Sequence, residues 1–177
     1  GGDSLAVQDQ LVDIMQIRAT EDAFAALASD GRVVTWGGAG SGGSSVDVQC
    51  ELVNVRQLVA TDSAFAAIRD DGSVIAWGCA RFGGDCAAVK HQLVQVQQVH
   101  ATEGAFAAVK EDGTVVTWGT SSAGGDCSMV AGELFDVHRV HAASGAFAAV
   151  RNDGVVVTWG DPRGGGDSSG VRDQLLT

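Results

Sequence analysis

The chain has 177 residues and a mass of 18.0 kDa, with 45% apolar and 19% charged residues, which excludes a disordered polymer and allows a packed core. Its 11 Lys and Arg stand against 22 Asp and Glu, and the net charge of -11 argues against nucleic acid or an anionic membrane surface as a direct partner. No apolar run approaches the roughly 18 residues of a membrane-spanning helix.

A period of 41 residues runs through the chain. Trp36, Trp77, Trp118 and Trp159 stand on it, as do Phe24, Phe65, Phe106 and Phe147, each inside an AFAA tetrapeptide. So do the pairs Asp30-Gly31, Asp71-Gly72, Asp112-Gly113 and Asp153-Gly154, and the Gly-Gly pairs ending at Gly2, Gly43, Gly84, Gly125 and Gly166. Self-similarity at such a period marks a solenoid, a propeller or an array. The repeats fall near 11–51, 52–92, 93–133 and 134–174 within one domain over 1–177, with partial copies at both ends.

Within the second repeat, Leu52-Val53-Asn54-Val55 alternates, and the apolar phase then slips at Arg56-Gln57 before Leu58-Val59, which predicts a bulged strand. Ala64 to Ile68 is a continuous apolar run, predicted as a strand covered on both faces. Asp71-Gly72 predicts a two-residue hairpin with both residues at positive φ, returning through Val74-Ile75-Ala76-Trp77. Gly78 ends that strand, a glycine-rich loop follows to Asp85, and the segment around Val89 reads as a fourth strand or one turn of helix. No helical periodicity appears, so the chain is predicted all-β: four tandem repeats arranged like a propeller, with an open stacked solenoid as the alternative.

The repeats also differ in an ordered way. AFAA through Asp-Gly to Trp-Gly barely changes, whereas 38–42, 79–83, 120–124 and 161–165 change freely. Variable loops gathered on one face are where partner selectivity is expected. They nominate Arg81, Phe82, Ser121, Ser122, Asp161 and Arg163, Phe82 because an aromatic at a loop tip has no packing role in the pattern. Asp85, Asp126 and Asp167, with Asp3, share an acidic phase that would attract a basic peptide, or would simply bond backbone N–H groups in its own turn.

The succession of apolar strand, Asp-Gly, Val-Val-Thr-Trp-Gly and glycine loop, as in AFAAL with SDGRVVTWG (23–37) and AFAAV with EDGTVVTWG (105–119), resembles the RCC1-like repeat over essentially the whole chain. The period is shorter than that family's, and Gly-Gly-Asp stands where its "GqLG" loop is usual. The resemblance implies a β-propeller serving as a non-enzymatic protein-interaction scaffold inside a larger protein or assembly. The acidic surface points to a basic protein partner and open repeat ends to self-association, and no motif calls for a cofactor. The alternative function is a multivalent lectin with one sugar site per Trp; a Trp at a strand end more often packs between neighbouring repeats.

Strings with a catalytic look dissolve into the repeat. Gly166-Asp167-Ser168-Ser169-Gly170 fits G-x-S-x-G and Gly2-Asp3-Ser4-Leu5 resembles a GDSL block, yet both share the phase of Gly84-Asp85-Cys86. Gly38 to Gly43 fits G-x-G-x-x-G without a following helix. Cys50, Cys79, Cys86 and Cys127 lack C-x-x-C spacing, although Cys79 and Cys86 flank one loop within disulfide reach. His138 and His141 are predicted on opposite faces of one strand, and no metal site is expected.

Overall fold

The computed structural model describes residues 2–174; Gly1 and the end of the closing partial repeat, 175–177, lie outside the described residues. Twelve strands form four three-stranded antiparallel sheets in chain order. The first holds β1 (Ile14–Ala19), β2 (Ala23–Ala28) and β3 (Val33–Gly37). The second holds β4 (Val55–Ala60), β5 (Ala64–Arg69) and β6 (Val74–Gly78). The third holds β7 (Val96–Ala101), β8 (Ala105–Lys110) and β9 (Val115–Gly119). The fourth holds β10 (Val137–Ala142), β11 (Ala146–Arg151) and β12 (Val156–Gly160). The fold is all-β and propeller-like, as the period predicts.

The middle strands β5 and β8 present alternate residues to two neighbouring sheets, as strand geometry allows. Ala64, Ala66 and Ile68 pack toward the third sheet, onto Leu93, Val96, Val99, Phe106 and Trp118. Phe65 and Ala67 pack the other way, with Ala23, Ala25 and Leu27 of the first sheet. A third cluster joins Ala105, Ala107 and Val109 to Val137, Phe147 and Trp159. The three cores thus lie between sheets rather than within them. Alanines on one side leave room for the Phe and Trp of the next sheet, whose rings stack with centroids 5.1 to 5.3 Å apart.

The bulge predicted near Arg56-Gln57 is present, with a register shift between Val55 and Gln57 and equivalents at Ile14/Gln16, Val96/Gln98 and Val137/Arg139. The hairpin differs from its prediction. In the first sheet the Gly31 N–H donates to the Ala28 carbonyl and the Ala28 N–H to the Arg32 carbonyl, a three-residue loop in which only the glycine has positive φ (81°). Asp30 keeps negative φ because its carboxylate accepts the Arg32 N–H at 3.1 Å, fixing the turn from the side chain. The segment around Val89 forms hydrogen-bonded turns, not a fourth strand.

Candidate interaction surface

Two kinds of loop meet at one end of the sheets. The hairpin after each first strand carries Thr20, Thr61 or Thr102, whose hydroxyl donates to the 3-10 turn that follows the Trp strand. The acceptors are the carbonyls of Ser41 (3.0 Å), Phe82 (3.0 Å) and Ala123 (2.9 Å). Each turn closes on a left-handed glycine, Gly42, Gly83, Gly124 or Gly165. The carbonyls of the first three accept the indole N–H of the next sheet's Trp77, Trp118 and Trp159, at 2.9 to 3.0 Å. A constant backbone frame therefore displays side chains that differ from turn to turn.

Arg81, Ser121, Ser122 and Arg163 are exposed on those turns, and Asp161 is half-buried. Asp161 caps its own turn, accepting the Arg163 N–H at 3.0 Å where the fourth repeat has Ala143 in place of the tethering threonine. Phe82 departs from its predicted role as an unpacked tip residue. Its ring is half-buried and packs on the core between the second and third sheets, with the Arg81 guanidinium 5.9 Å from its centroid.

Asp85, Asp126 and Asp167 are exposed and do not converge on one centre. Each accepts the N–H two residues on, from Ala87, Ser128 and Ser169, at 2.8 to 2.9 Å. The backbone N–H of Ser128, and its hydroxyl, hold the Asp126 carboxyl below its ordinary value, and Ser169 does the same to Asp167. These side chains shape their own turns while leaving their outer oxygens to solvent.

A second acidic set was missed in the sequence. Glu21, Asp62 and Glu103 sit at equivalent positions on the hairpins of the first three sheets. Their backbones are linked in series: Glu21 N–H to the Asp62 carbonyl (2.8 Å), Asp62 N–H to Glu103 (2.9 Å), and Glu103 N–H to Ser144 (2.8 Å). Burial, then the negative charges of Glu103 and Glu21, push the Asp62 carboxyl above its ordinary value. The 41-residue spacing was the available signal, broken only by Ser144 in the fourth copy.

The remaining motifs have structural places. Trp77, Trp118 and Trp159 are buried between sheets, closing three of the four indole faces to a sugar. The Ser168 hydroxyl pairs with Thr158 at 3.0 Å, as Ser45 pairs with Thr35 at 2.9 Å, so the G-x-S-x-G serine does the work of its repeat position. Gly42 of the G-x-G-x-x-G string packs on Phe65, where a Cβ would lie 2.6 Å from the ring. All four cysteines are free thiols, Cys79 and Cys86 included, and burial raises the Cys86 thiol. His138 and His141 line different hollows, in keeping with opposite faces. Among the described residues no three His, Cys, Asp or Glu gather as metal ligands.

No protein-family model and no curated protein matches the sequence. Solved structures do match. Human WBSCR16 is 20% identical with a TM-score of 0.57, over 83% of this chain and 47% of its own. Prp20p from Saccharomyces cerevisiae, described for its binding to Gsp1p and histones, is 18% identical with a TM-score of 0.59, over 87% of this chain and 46% of its own. The CRINKLY WD40 ectodomain of the Arabidopsis thaliana receptor kinase ACR4 is 17% identical with a TM-score of 0.55, over 83% and 49%. The chain spans about half the length of each of these structures. At these identities the likeness is one of architecture, and the four sheets have the fold of RCC1-like propellers.

Proposed function

We propose that the chain is a non-enzymatic protein-interaction scaffold, a module of RCC1-like kind within a larger protein or assembly. One observation carries this reading: side chains that vary between repeats stand on the post-Trp turns, which in the first three repeats are held by the same Thr, Gly and Trp bonds and in the fourth by the Asp161 cap. The partner surface comprises Arg81, Ser121, Ser122, Asp161 and Arg163, with Phe82 contributing its exposed edge and Asp85, Asp126 and Asp167 adding charge beside them. Glu21, Asp62 and Glu103 extend the acidic character of this rim and favour a basic partner segment. That the structural neighbour Prp20p binds proteins agrees with this reading.

Titration of the purified chain with a fluorescent Lys-rich peptide tests it. Saturable binding is expected, falling with salt and weakened several-fold in the combined variant Glu21→Gln, Asp62→Asn, Glu103→Gln. Binding that ignores both salt and these substitutions counts against the reading. Acidification should also weaken the complex, because Asp62 gains its proton at a higher pH than an ordinary aspartate.

The reading includes self-association. Gly165 is exposed with no described atom near its Cβ position, whereas its equivalents Gly42, Gly83 and Gly124 pack on the Phe of the next sheet. A second copy offering its half-buried Phe24 and Trp36 would complete that contact. Sedimentation velocity across a concentration series should show mass growth that Gly165→Trp abolishes. A constant monomer mass would refute this part alone.

A further inference from the structure

The first strands of the four sheets, β1, β4, β7 and β10, stand side by side and line a hollow of about 770 Å³. Its ionisable side chains are all basic. Arg18, His100 and His141 occupy one repeat position on the first, third and fourth sheets, and Arg139 stands beside Gln57 and Gln98 at the neighbouring one. None of the acidic residues lines it, in a chain where they outnumber Lys and Arg two to one.

These basic groups also differ in how they are satisfied from five of the cations elsewhere. Arg32, Arg69, Lys90, Lys110 and Arg151 each pair with a carboxylate elsewhere on the molecule. Arg139 is exposed and makes no hydrogen bond or ion pair among the described residues. Arg18 is held by its inner edge, Nε donating to the Leu58 carbonyl (3.2 Å) and Nη1 to Ile17 (3.4 Å), which leaves Nη2 open. His100 Nε2 lies 3.2 Å from Gln98 Oε1, and His141 is exposed with no hydrogen-bond partner among the described residues. Burial, then the charge of His141, lowers the His100 pKa, so the two imidazoles are near enough to repel when charged. Two guanidinium groups without a carboxylate partner, two imidazoles and the amides of Gln57 and Gln98 form a set of donors short of acceptors, which a carboxylate completes.

We infer that this hollow is a binding site for an acidic peptide segment, separate from the loop rim and of opposite charge preference. The floor spans four strands, so it takes several carboxylates along an extended chain rather than one ion. The hairpin acids Glu21, Asp62 and Glu103 stand beyond one end of the same strands, each three residues past Arg18, Val59 and His100. They disfavour a uniformly charged polyanion such as RNA, which would run its phosphates across both zones.

The test is fluorescence anisotropy of a labelled Glu-rich peptide titrated with the full 177-residue chain at about pH 5.5 and about pH 8. Saturable binding is expected, tighter at the lower pH, because each proton taken up by an imidazole adds a cation to the hollow. The variant Arg139→Gln with His141→Gln should weaken binding at the lower pH by about tenfold or more. Both side chains are exposed, so the fold should survive, which tryptophan fluorescence checks. Gln98→Glu adds a carboxylate to the floor without removing a cation and should weaken binding independently. Absence of binding at either pH, equal affinity in both variants, or an equally tight complex with single-stranded RNA would each overturn the inference. The Lys-rich peptide and its rim variants report separately, so either proposal can fail while the other stands.

Discussion

The second and third sheets can be set against the first and fourth. The same AFAA motif is buried throughout in β5 and β8, where Phe65, Phe106 and their neighbours show no exposure. In the fourth sheet Ala148 and Val150 become half-exposed, and in the first sheet so do Phe24 and Trp36. The Trp indoles of the last three sheets donate to a glycine carbonyl 35 residues earlier; for Trp36 that position is Gly1, outside the described residues. Identical residues thus have different environments because the packing unit is the junction between two sheets. Stability then behaves as a sum over neighbouring repeats.

Substitutions at matched positions would break or sharpen this contrast. The largest effect belongs to the aromatic core. Phe106→Ala should cost about 3–5 kcal/mol, since the ring is fully buried, whereas Phe24→Ala should cost less than half as much, as read by chemical denaturation. Next come the turn glycines. A Cβ at Gly83 would lie 2.6 Å from the Phe106 ring at φ 93°, so Gly83→Ala should cost about 2–4 kcal/mol. At Gly165 only the left-handed φ of 96° resists a side chain, and Gly165→Ala should cost about 1 kcal/mol. Equal losses at the two glycines would contradict the junction picture.

A smaller effect is expected from Trp118→Phe, which keeps the ring stacked on Phe106 and removes only the N–H donated to Gly83. About 1–3 kcal/mol should be lost through the stranded carbonyl, and thermal melting would show it. The smallest concerns pH. The Thr114 hydroxyl and N–H, with Lys110, hold the Asp112 carboxyl down to about 2 from an ordinary 3.8. A depressed carboxylate contributes stability above its unfolded value and loses it as pH falls through the folded one. That contribution should therefore fade between about pH 4 and about pH 2, and Thr114→Val should shrink it, followed by NMR titration of Asp112. The group is mostly exposed, so the change in stability is slight.

The strands, the bulges and the junction role of Trp were legible because they rest on spacing and on the two-residue alternation of a strand. The turn geometry was less so. Asp30-Gly31 names the residues of a hairpin, but whether Ser29 joins the loop depends on the side-chain bond from Asp30 to the Arg32 N–H, which spacing does not encode. Phe82 looked unpacked because its neighbours come from the third sheet, one repeat on. The cationic hollow was equally hidden. His100 and His141 were visible as a shared phase, yet only the side-by-side placing of β1, β4, β7 and β10 brings Arg18 and Arg139 to the same floor.

The most direct measurement on the junction picture is native-state amide hydrogen exchange across the middle strands. Phe65 to Ile68 and Phe106 to Val109 should exchange slowest, with the matching amides of β2 and β11 opening at distinctly lower free energy. Equal protection in all four middle strands would contradict it, because each sheet would then be stable without its neighbours.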